Sequence, residues 1–298
     1  MNYNKLISAK VIADSISPYG QRITTLQISA PKFLDAEFEK HRMLSSNSSS
    51  DRAIPLSKMK EAPRYYPNEV RYNQPGMQGD ESLPKEEVIK FHESLYGVWE
   101  AVIKMAGKWS NVHKQHINRY LLPFTIQHKV VTATDWDNFF RLRLADDAQP
   151  EIYELAEKMK DSIDESTPTI LDAGEWHTPY VGKGYYSGVG KGPYNDMIAA
   201  IKCSVARCAR VSYNNHDGSS PDVGKDLELY QMLLDSEHMS PFEHVATPRG
   251  SPYELGWIMD PAPLWPAGVT HIDREKTKWS GNFRNWIQYR KLVEQGVK

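Results

Sequence analysis

Val88, Phe91, Leu95, Trp99 and Ile103 recur at spacings of three and four, so residues 85–107 read as one long helix with a single apolar stripe. The flanking segments carry a different period. Residues 5–14 and 21–29 partly alternate and contain β-branched side chains, and Ser17-Pro18-Tyr19-Gly20 separates them, which predicts a β-hairpin. Residues 124–134 read as a further strand. Helices are expected over 112–122, stopping before Pro123, and over 136–144, 149–163, 194–211 and 224–236. The polar stretch 41–82 reads mostly as ordered loop, and the tail from 252 carries mixed signals. This mixture predicts an α+β fold.

A chain of 298 residues can bury a substantial core as one large domain or two closely joined ones. Three segments are expected: residues 1–164, a Gly-, Tyr- and Pro-rich linker or insertion over 165–193, and residues 194–298 completing the same domain. Hydrophobic residues at 40% and charged residues at 25% argue against disorder. No stretch approaches the roughly 20 apolar residues that a membrane span needs. The N-terminus lacks an apolar signal core, and Cys203 and Cys208 form no CxxC or metal-ligand spacing. A cytoplasmic protein without a disulfide scaffold, a bound metal or a membrane partner is therefore expected. The formal charge of −2 gives no global attraction to nucleic acid, so any bound anion must be held by a local basic cluster.

The densest such cluster is Lys40-His41-Arg42-Met43-Leu44-Ser45-Ser46-Asn47-Ser48-Ser49-Ser50-Asp51-Arg52. Arginine forks grip phosphate oxygens in pairs, while serine hydroxyls and loop N–H groups fill the remaining positions. The same residues also suit a solvated basic loop with a Ser-rich turn.

Lys40, His41, Arg42, Ser45, Asn47, Ser50 and Arg52 fall on the spaced basic-His-Arg, Ser, Asn, Ser, Arg pattern that this block shares with flavin-dependent thymidylate synthases, and the chain resembles that family. Lys40 stands where the family usually has arginine, and Ser48 where it usually has glutamate. Lysine keeps the charge but loses the planar fork. The resemblance continues through Asn118-Arg119-Tyr120-Leu121-Leu122-Pro123, Asn138-Phe139-Phe140-Arg141-Leu142-Arg143 and Ala148-Gln149-Pro150-Glu151-Ile152. Asp147 replaces a histidine common just before that last motif, so no flavin role is carried to it. As isolated residues, Arg119 and Arg143 read as ordinary helix-end charges; the shared order over roughly 110 residues gives them a function.

Ala209-Arg210-Val211-Ser212-Tyr213 and His238-Met239-Ser240-Pro241-Phe242-Glu243-His244 resemble two motifs that the family usually places before the basic triple. Here they follow it, with Trp279-Ser280-Gly281-Asn282-Phe283-Arg284 and Gln288-Tyr289-Arg290 behind them. The sequence is therefore similar to a rearranged, bacteriophage-type branch. Chain order can change without changing a site when the termini lie close together. Read alone, Ser-Pro-Phe-Glu-His is a turn with a buried Phe.

Other motifs point nowhere. Gly184–Gly192 lacks the Lys-Ser/Thr step of a phosphate loop. His113 and His116 have no third metal ligand at a suggestive spacing. Ser50 has no nucleophile elbow. Cys203 and Cys208 lack the Pro-Cys-His context of the other thymidylate synthase family and read as packing residues in a helix.

The resemblance implies the family's fold, long helices packed on a mixed sheet, and C5 methylation of a deoxypyrimidine monophosphate, dUMP to dTMP. It implies FAD, NADPH and methylenetetrahydrofolate as cofactors, and active sites shared within a homotetramer. Arg143 and Ser50 are the implied catalytic residues, with Arg143 polarising the pyrimidine ring. Arg52, Arg119 and Ser50 hold the nucleotide, Lys40, His41, Arg42, Asn47 and Asn138 line the FAD, and His244 contacts a folate or flavin ring. Glu37 stands where the family often has glutamine; in Glu37-Phe38-Glu39 it reads first as a surface glutamate, and in a site its carboxylate, which only accepts, would favour cytosine's amino group. That leaves a dCMP C5-methyltransferase or hydroxymethyltransferase as the rival, and a catalytically inactive nucleotide-binding regulator as a reading from another class.

Overall fold

The computed structural model describes residues 6–50, 54–75, 79, 81–181, 197–211, 222–249 and 267–296. Ser8–Ile16 (β1) and Arg22–Pro31 (β2) form the expected antiparallel hairpin, with a bulge between Val11 and Ala13. Its turn closes through Ser17 N–H to Gln21 O and Gly20 N–H to Ser17 O, and Gly20 takes φ +85, a left-handed conformation that glycine adopts without steric cost. After a short helix, Asp35–Phe38 (α1), the chain enters Ser45–Ser48 (β3).

Leu56–Glu61 (α2), Lys85–Lys108 (α3) and Lys114–Asn118 (α4) lead to Ile126–Ala133 (β4). Asp137–Arg143 (α5), Pro150–Asp164 (α6) and Thr169–Ile170 (β5) follow. The five strands make one mixed sheet ordered β3-β4-β2-β1-β5, antiparallel except for the parallel β1–β5 pair.

Both faces of this sheet are covered, and the side-chain period of two divides β2 and β4 between them. Leu26, Ile28, Val131 and Ala133 face α6, whose Ile152, Leu155, Ala156, Met159 and Ile163 fall on one helical stripe. Pro150 opens that helix at a position where its missing N–H is no loss. Each large side chain buried here stabilises the fold by about 1.5–3 kcal/mol. A charge at Leu155, 1% exposed, would break the layer.

The opposite face carries Ile23, Thr25, Gln27, Val130 and Thr132, and the C-terminal third covers it. Met197–Ala209 (α7) and Val223–Asp235 (α8) pack together, and Arg207 and Arg210 both grip the buried carboxylate of Asp226. A 3₁₀ turn over Ser240–His244 precedes Ala246–Pro248 (β6). His271–Ile272 (β7), Lys278–Ser280 (β8), Phe283–Arg284 (β9), Trp286–Gln288 (β10) and Tyr289–Glu294 (α9) close the chain, with β6 paired to β10. Ala246, Phe283 and Trp286 pack on Ile23, and Cys208 and Val211 on Val130.

Two expectations change, and a third segment is described in part. The 41–82 loop contains β3 and α2. The 112–122 helix shrinks to α4 followed by a 3₁₀ turn, because Pro123 has no N–H to give and disfavours helix in the residue before it. The stretch expected as a linker or insertion is described to residue 181, and that part is woven into the fold. Leu171 N–H donates to Ile16 O, and His177 pairs through its backbone with Ala246. Among the described residues no helix is long and apolar enough to cross a membrane.

Candidate active site

The basic triple lies on the turn between α1 and β3. His41 N–H donates to Phe38 O and Leu44 N–H to His41 O, so the backbone doubles back and sets the His41 ring edge-on to Phe139, centroids 4.9 Å apart. Phe139 belongs to α5, and the last turn of that helix delivers Arg143 to the same point. A cation at a helix C-terminus is favoured by the helix dipole.

Arg143 Nε–H donates to His41 Nε2 at 2.8 Å, and its Nη1 lies 2.9 Å from Glu37 Oε1. A ring nitrogen that accepts this bond carries no proton, so His41 is neutral here with its hydrogen on Nδ1. Burial, and then the charge of Arg143, hold the His41 pKa below its ordinary value. Burial would raise Glu37, but Arg143 and Lys40 outweigh it and hold the carboxyl below its usual range. Lys40 Nζ reaches Glu37 Oε2 at 3.4 Å, so both oxygens of Glu37 face cations.

Beside the triple lies a cavity of about 280 Å³, walled by Glu39, His41 and Arg42 from one side and Glu243, Asn282 and Gln288 from the C-terminal third. Asn282 stitches the walls together, donating from Nδ2 to Met43 O and accepting at Oδ1 from Ser45 Oγ and Gln288 Nε2. Glu243 is paired with Arg290. The cavity lining mixes the cations Arg42 and Lys291 with the carboxylates Glu39 and Glu243, and the neutral His41 ring and the amides of Asn282 and Gln288 complete it. The volume falls just below the usual 300–1,000 Å³ of small-molecule pockets.

The other expected site residues are dispersed. Asn47 is engaged at both ends, its Nδ2 donating to Cys208 O at 2.9 Å and its Oδ1 accepting from Ser240 Oγ at 3.2 Å, so it ties β3 to the C-terminal third. Ser50 is exposed beyond the end of β3, and Arg52 lies outside the described residues. Arg119 is exposed at the end of α4, where its Nε donates to Gln115 O. Asn138, also exposed, accepts from Arg141 Nη2 at 2.8 Å. His244 is fully buried, its Nδ1 2.8 Å from Thr132 Oγ1. The glycine-rich stretch 184–192 lies outside the described residues.

Sequence reasoning assigned no role to His177, Thr25 or Thr132, which connect to His244 across the sheet. A signal existed in the hydroxyls of Thr25 and Thr132, set among apolar residues of buried strands. Among the described residues no group of three or more His, Cys, Asp or Glu is placed to hold a metal ion.

The sequence model of the family described as "Thymidylate synthase complementing protein" matches residues 3–169. The chain belongs to that family. The match runs from the first hairpin through α6 into β5, so it includes the basic triple and Arg143, while His244 lies beyond it. Two curated relatives, both "Flavin-dependent thymidylate synthase" from strains of Thermus thermophilus, are 25% identical over 168 residues. The aligned part is 54% of this chain, and it spans 59% of the length of those relatives. Among solved structures, a UMP/dUMP methylase, PolB from Streptomyces cacaoi bound with 5-Br UMP, superposes with a TM-score of 0.44 at 16% identity. That superposition covers 52% of this chain and 88% of the other.

Proposed function

We propose that this chain methylates C5 of a deoxypyrimidine monophosphate, converting dUMP to dTMP with FAD, NADPH and methylenetetrahydrofolate. The observation that carries the reading is the Arg143 guanidinium, fixed by His41 and Glu37 beside a cationic turn, in a member of this family. C5 of the pyrimidine becomes nucleophilic only when electron density is pushed towards it. A guanidinium held in place before the reaction can stabilise the charge that develops on the ring without reorganising. Neutral His41 and anionic Glu37 aim Arg143, and the two thiols take no part.

Lys40, His41, Arg42, Asn47 and Asn138 would hold FAD, with cations on its pyrophosphate and amides on its ring edges. Bound there, the flavin would accept hydride from NADPH, and the folate would supply the carbon. Ser50, Arg52 and Arg119 would hold the nucleotide's phosphate and sugar, with Ser50 close to the reacting end, and His244 would meet a folate or flavin ring. Arg119 and Asn138 are exposed, and the cavity has room for only part of a dinucleotide, which favours a homotetramer whose neighbours complete each site. Ile89, Phe91, Val98 and Trp109 around α3 are exposed apolar groups suited to such contacts. The motif order fits a rearranged, bacteriophage-type member of the family, because Ser240 and His244 reach back to Asn47 and Thr132. Both Glu37 oxygens face cations, which favours uracil over an amino group competing for the same carboxylate.

The deciding experiment is turnover of dUMP against dCMP with NADPH and methylenetetrahydrofolate, followed by product mass. Yellow protein bleached by NADPH and yielding dTMP is expected. A product from dCMP alone would move the assignment to the cytidylate enzyme. Colourless protein that binds nucleotide without turnover would make it a regulator.

A further inference from the structure

Four hydrogen bonds run through the second face of the sheet. Ser15 Oγ meets His177 Nδ1 at 2.9 Å, and His177 Nε2 meets Thr25 Oγ1 at 2.7 Å. Thr25 Oγ1 meets Thr132 Oγ1 at 2.7 Å, and Thr132 Oγ1 meets His244 Nδ1 at 2.8 Å. All five residues are buried, and His244 Nε2, at the end, finds no partner among the described residues.

Counting hydrogens leaves this chain few states, of which two use both threonine hydrogens. Burial pushes His177 and His244 down to about 3, so at neutral pH each ring carries one N–H. Each threonine hydroxyl has one hydrogen. A hydroxyl can accept twice, so Nε2–H on His177 with Nδ1–H on His244 would also fill all four bonds, but at the cost of a buried threonine hydroxyl hydrogen with no acceptor in this hydrogen-bonded chain. Both threonine hydrogens are used only if every donor points the same way. In one direction both histidines carry the proton on Nδ1 and His244 Nε2 is a bare lone pair. In the other, both carry it on Nε2, which leaves an orphaned N–H at His244. A buried N–H without an acceptor is rarer and costlier than an under-used lone pair, so the first direction is preferred.

We propose that Thr132, Thr25 and His177 are positioning residues that lock His244 in its Nδ1–H tautomer, so that its buried Nε2 is a preset acceptor for an N–H or O–H of a bound ligand. The tautomer follows from this chain's own hydrogen bonds and is independent of which cofactor binds. Failure of the methyltransferase reading and failure of this one are therefore distinguishable, because the measurement needs no ligand and no turnover.

The test is the ring-nitrogen NMR spectrum of the full-length protein with ¹⁵N-labelled histidine, with His177 and His244 assigned by H177Q and H244Q. At pH 7 both rings are expected to be neutral, with Nδ1 protonated and Nε2 bare. Thr25→Val cuts the chain in the middle and should turn the single His244 tautomer into a mixture, while Thr25→Ser should restore the parent spectrum. Opposite tautomers at the two histidines, a shared Nε2–H form, or a His244 spectrum untouched by Thr25→Val would each overturn the proposal. If Thr25→Val does not fold, the parent spectrum decides alone, since its two histidines must carry the same tautomer.

Discussion

Arg143 donates its Nε–H to His41 Nε2 across 2.8 Å, joining the end of α5 to the turn before β3 although 102 positions separate the two residues. The bond requires a neutral imidazole, because a protonated His41 would offer a hydrogen where Arg143 needs a lone pair. With the His41 pKa already lowered, the pair is intact at neutral pH and is lost only as acid protonates the ring. Arg143 is thus aimed by two neighbours of different charge, and Glu37 also tempers its field.

Arg143→Ala should lower kcat by about 10²–10³, the usual cost of removing a positioned charge-stabilising group. Arg143→Lys should recover little, since an ammonium cannot reach His41 and Glu37 with a planar fork. The check is kcat at equal folded fraction, judged by circular dichroism. Activity within a few-fold of the parent would remove Arg143 from the chemistry.

Stability should fall in acid through His177 and His244. Both have folded-state pKa values of about 3 against an unfolded value near 6.5, so between those limits the unfolded chain binds more protons. Their contribution is complete above about pH 6.5 and is lost as pH drops towards 3. The slope is up to about 1.4 kcal/mol per pH unit for each histidine. Urea midpoints at pH 7 and pH 5 measure it, and H177Q should flatten the dependence.

Replacing Cys203 and Cys208 together by alanine should leave turnover largely intact. Burial pushes the Cys203 thiol up to about 11 and Cys208 higher still, so neither is a thiolate nucleophile at neutral pH. The packing loss should cost about 1–3 kcal/mol, read from the urea midpoint. Well-folded but inactive protein would reinstate a cysteine mechanism.

The sequence made some of this architecture legible and hid the rest for physical reasons. The first hairpin, α3, α6, α7 and α8 announce themselves because their apolar side chains repeat at the period of the element. β3 does not, since Ser45-Ser46-Asn47-Ser48 has no apolar alternation and pairs because the edge of β4 and the Asn47 tie demand it. His177 was hidden in a stretch of Gly, Pro and Tyr whose structure is imposed by its partners Ile16 and Ala246. For the candidate site, residue types could suggest a phosphate-binding turn, yet the His41–Arg143 contact and the Ser15–His244 relay are products of topology.

A chain ending at residue 193 should fail to fold cooperatively. The five-stranded sheet would keep α6 on one face but lose the cover of the other. Ile23 and Val130, both fully buried, would face water where Trp286, Phe283 and Cys208 had packed. His177 would lose its backbone partner Ala246, and Asn47 its carbonyl and hydroxyl partners. Exposing the two aliphatic side chains costs about 3–6 kcal/mol, and each hydrogen bond exchanged for one to water adds about 0.5–1.5. Those losses rival the 5–15 kcal/mol that typically holds a domain together. Asn47→Ala in the full chain isolates one tie and should cost about 1–3 kcal/mol in urea midpoint without abolishing the transition. Thermal melts followed by circular dichroism separate the outcomes. A sharp melt of the 1–193 chain within a few degrees of the full-length protein would show that the N-terminal sheet is stable without its second cover, and that the C-terminal third is an accessory layer.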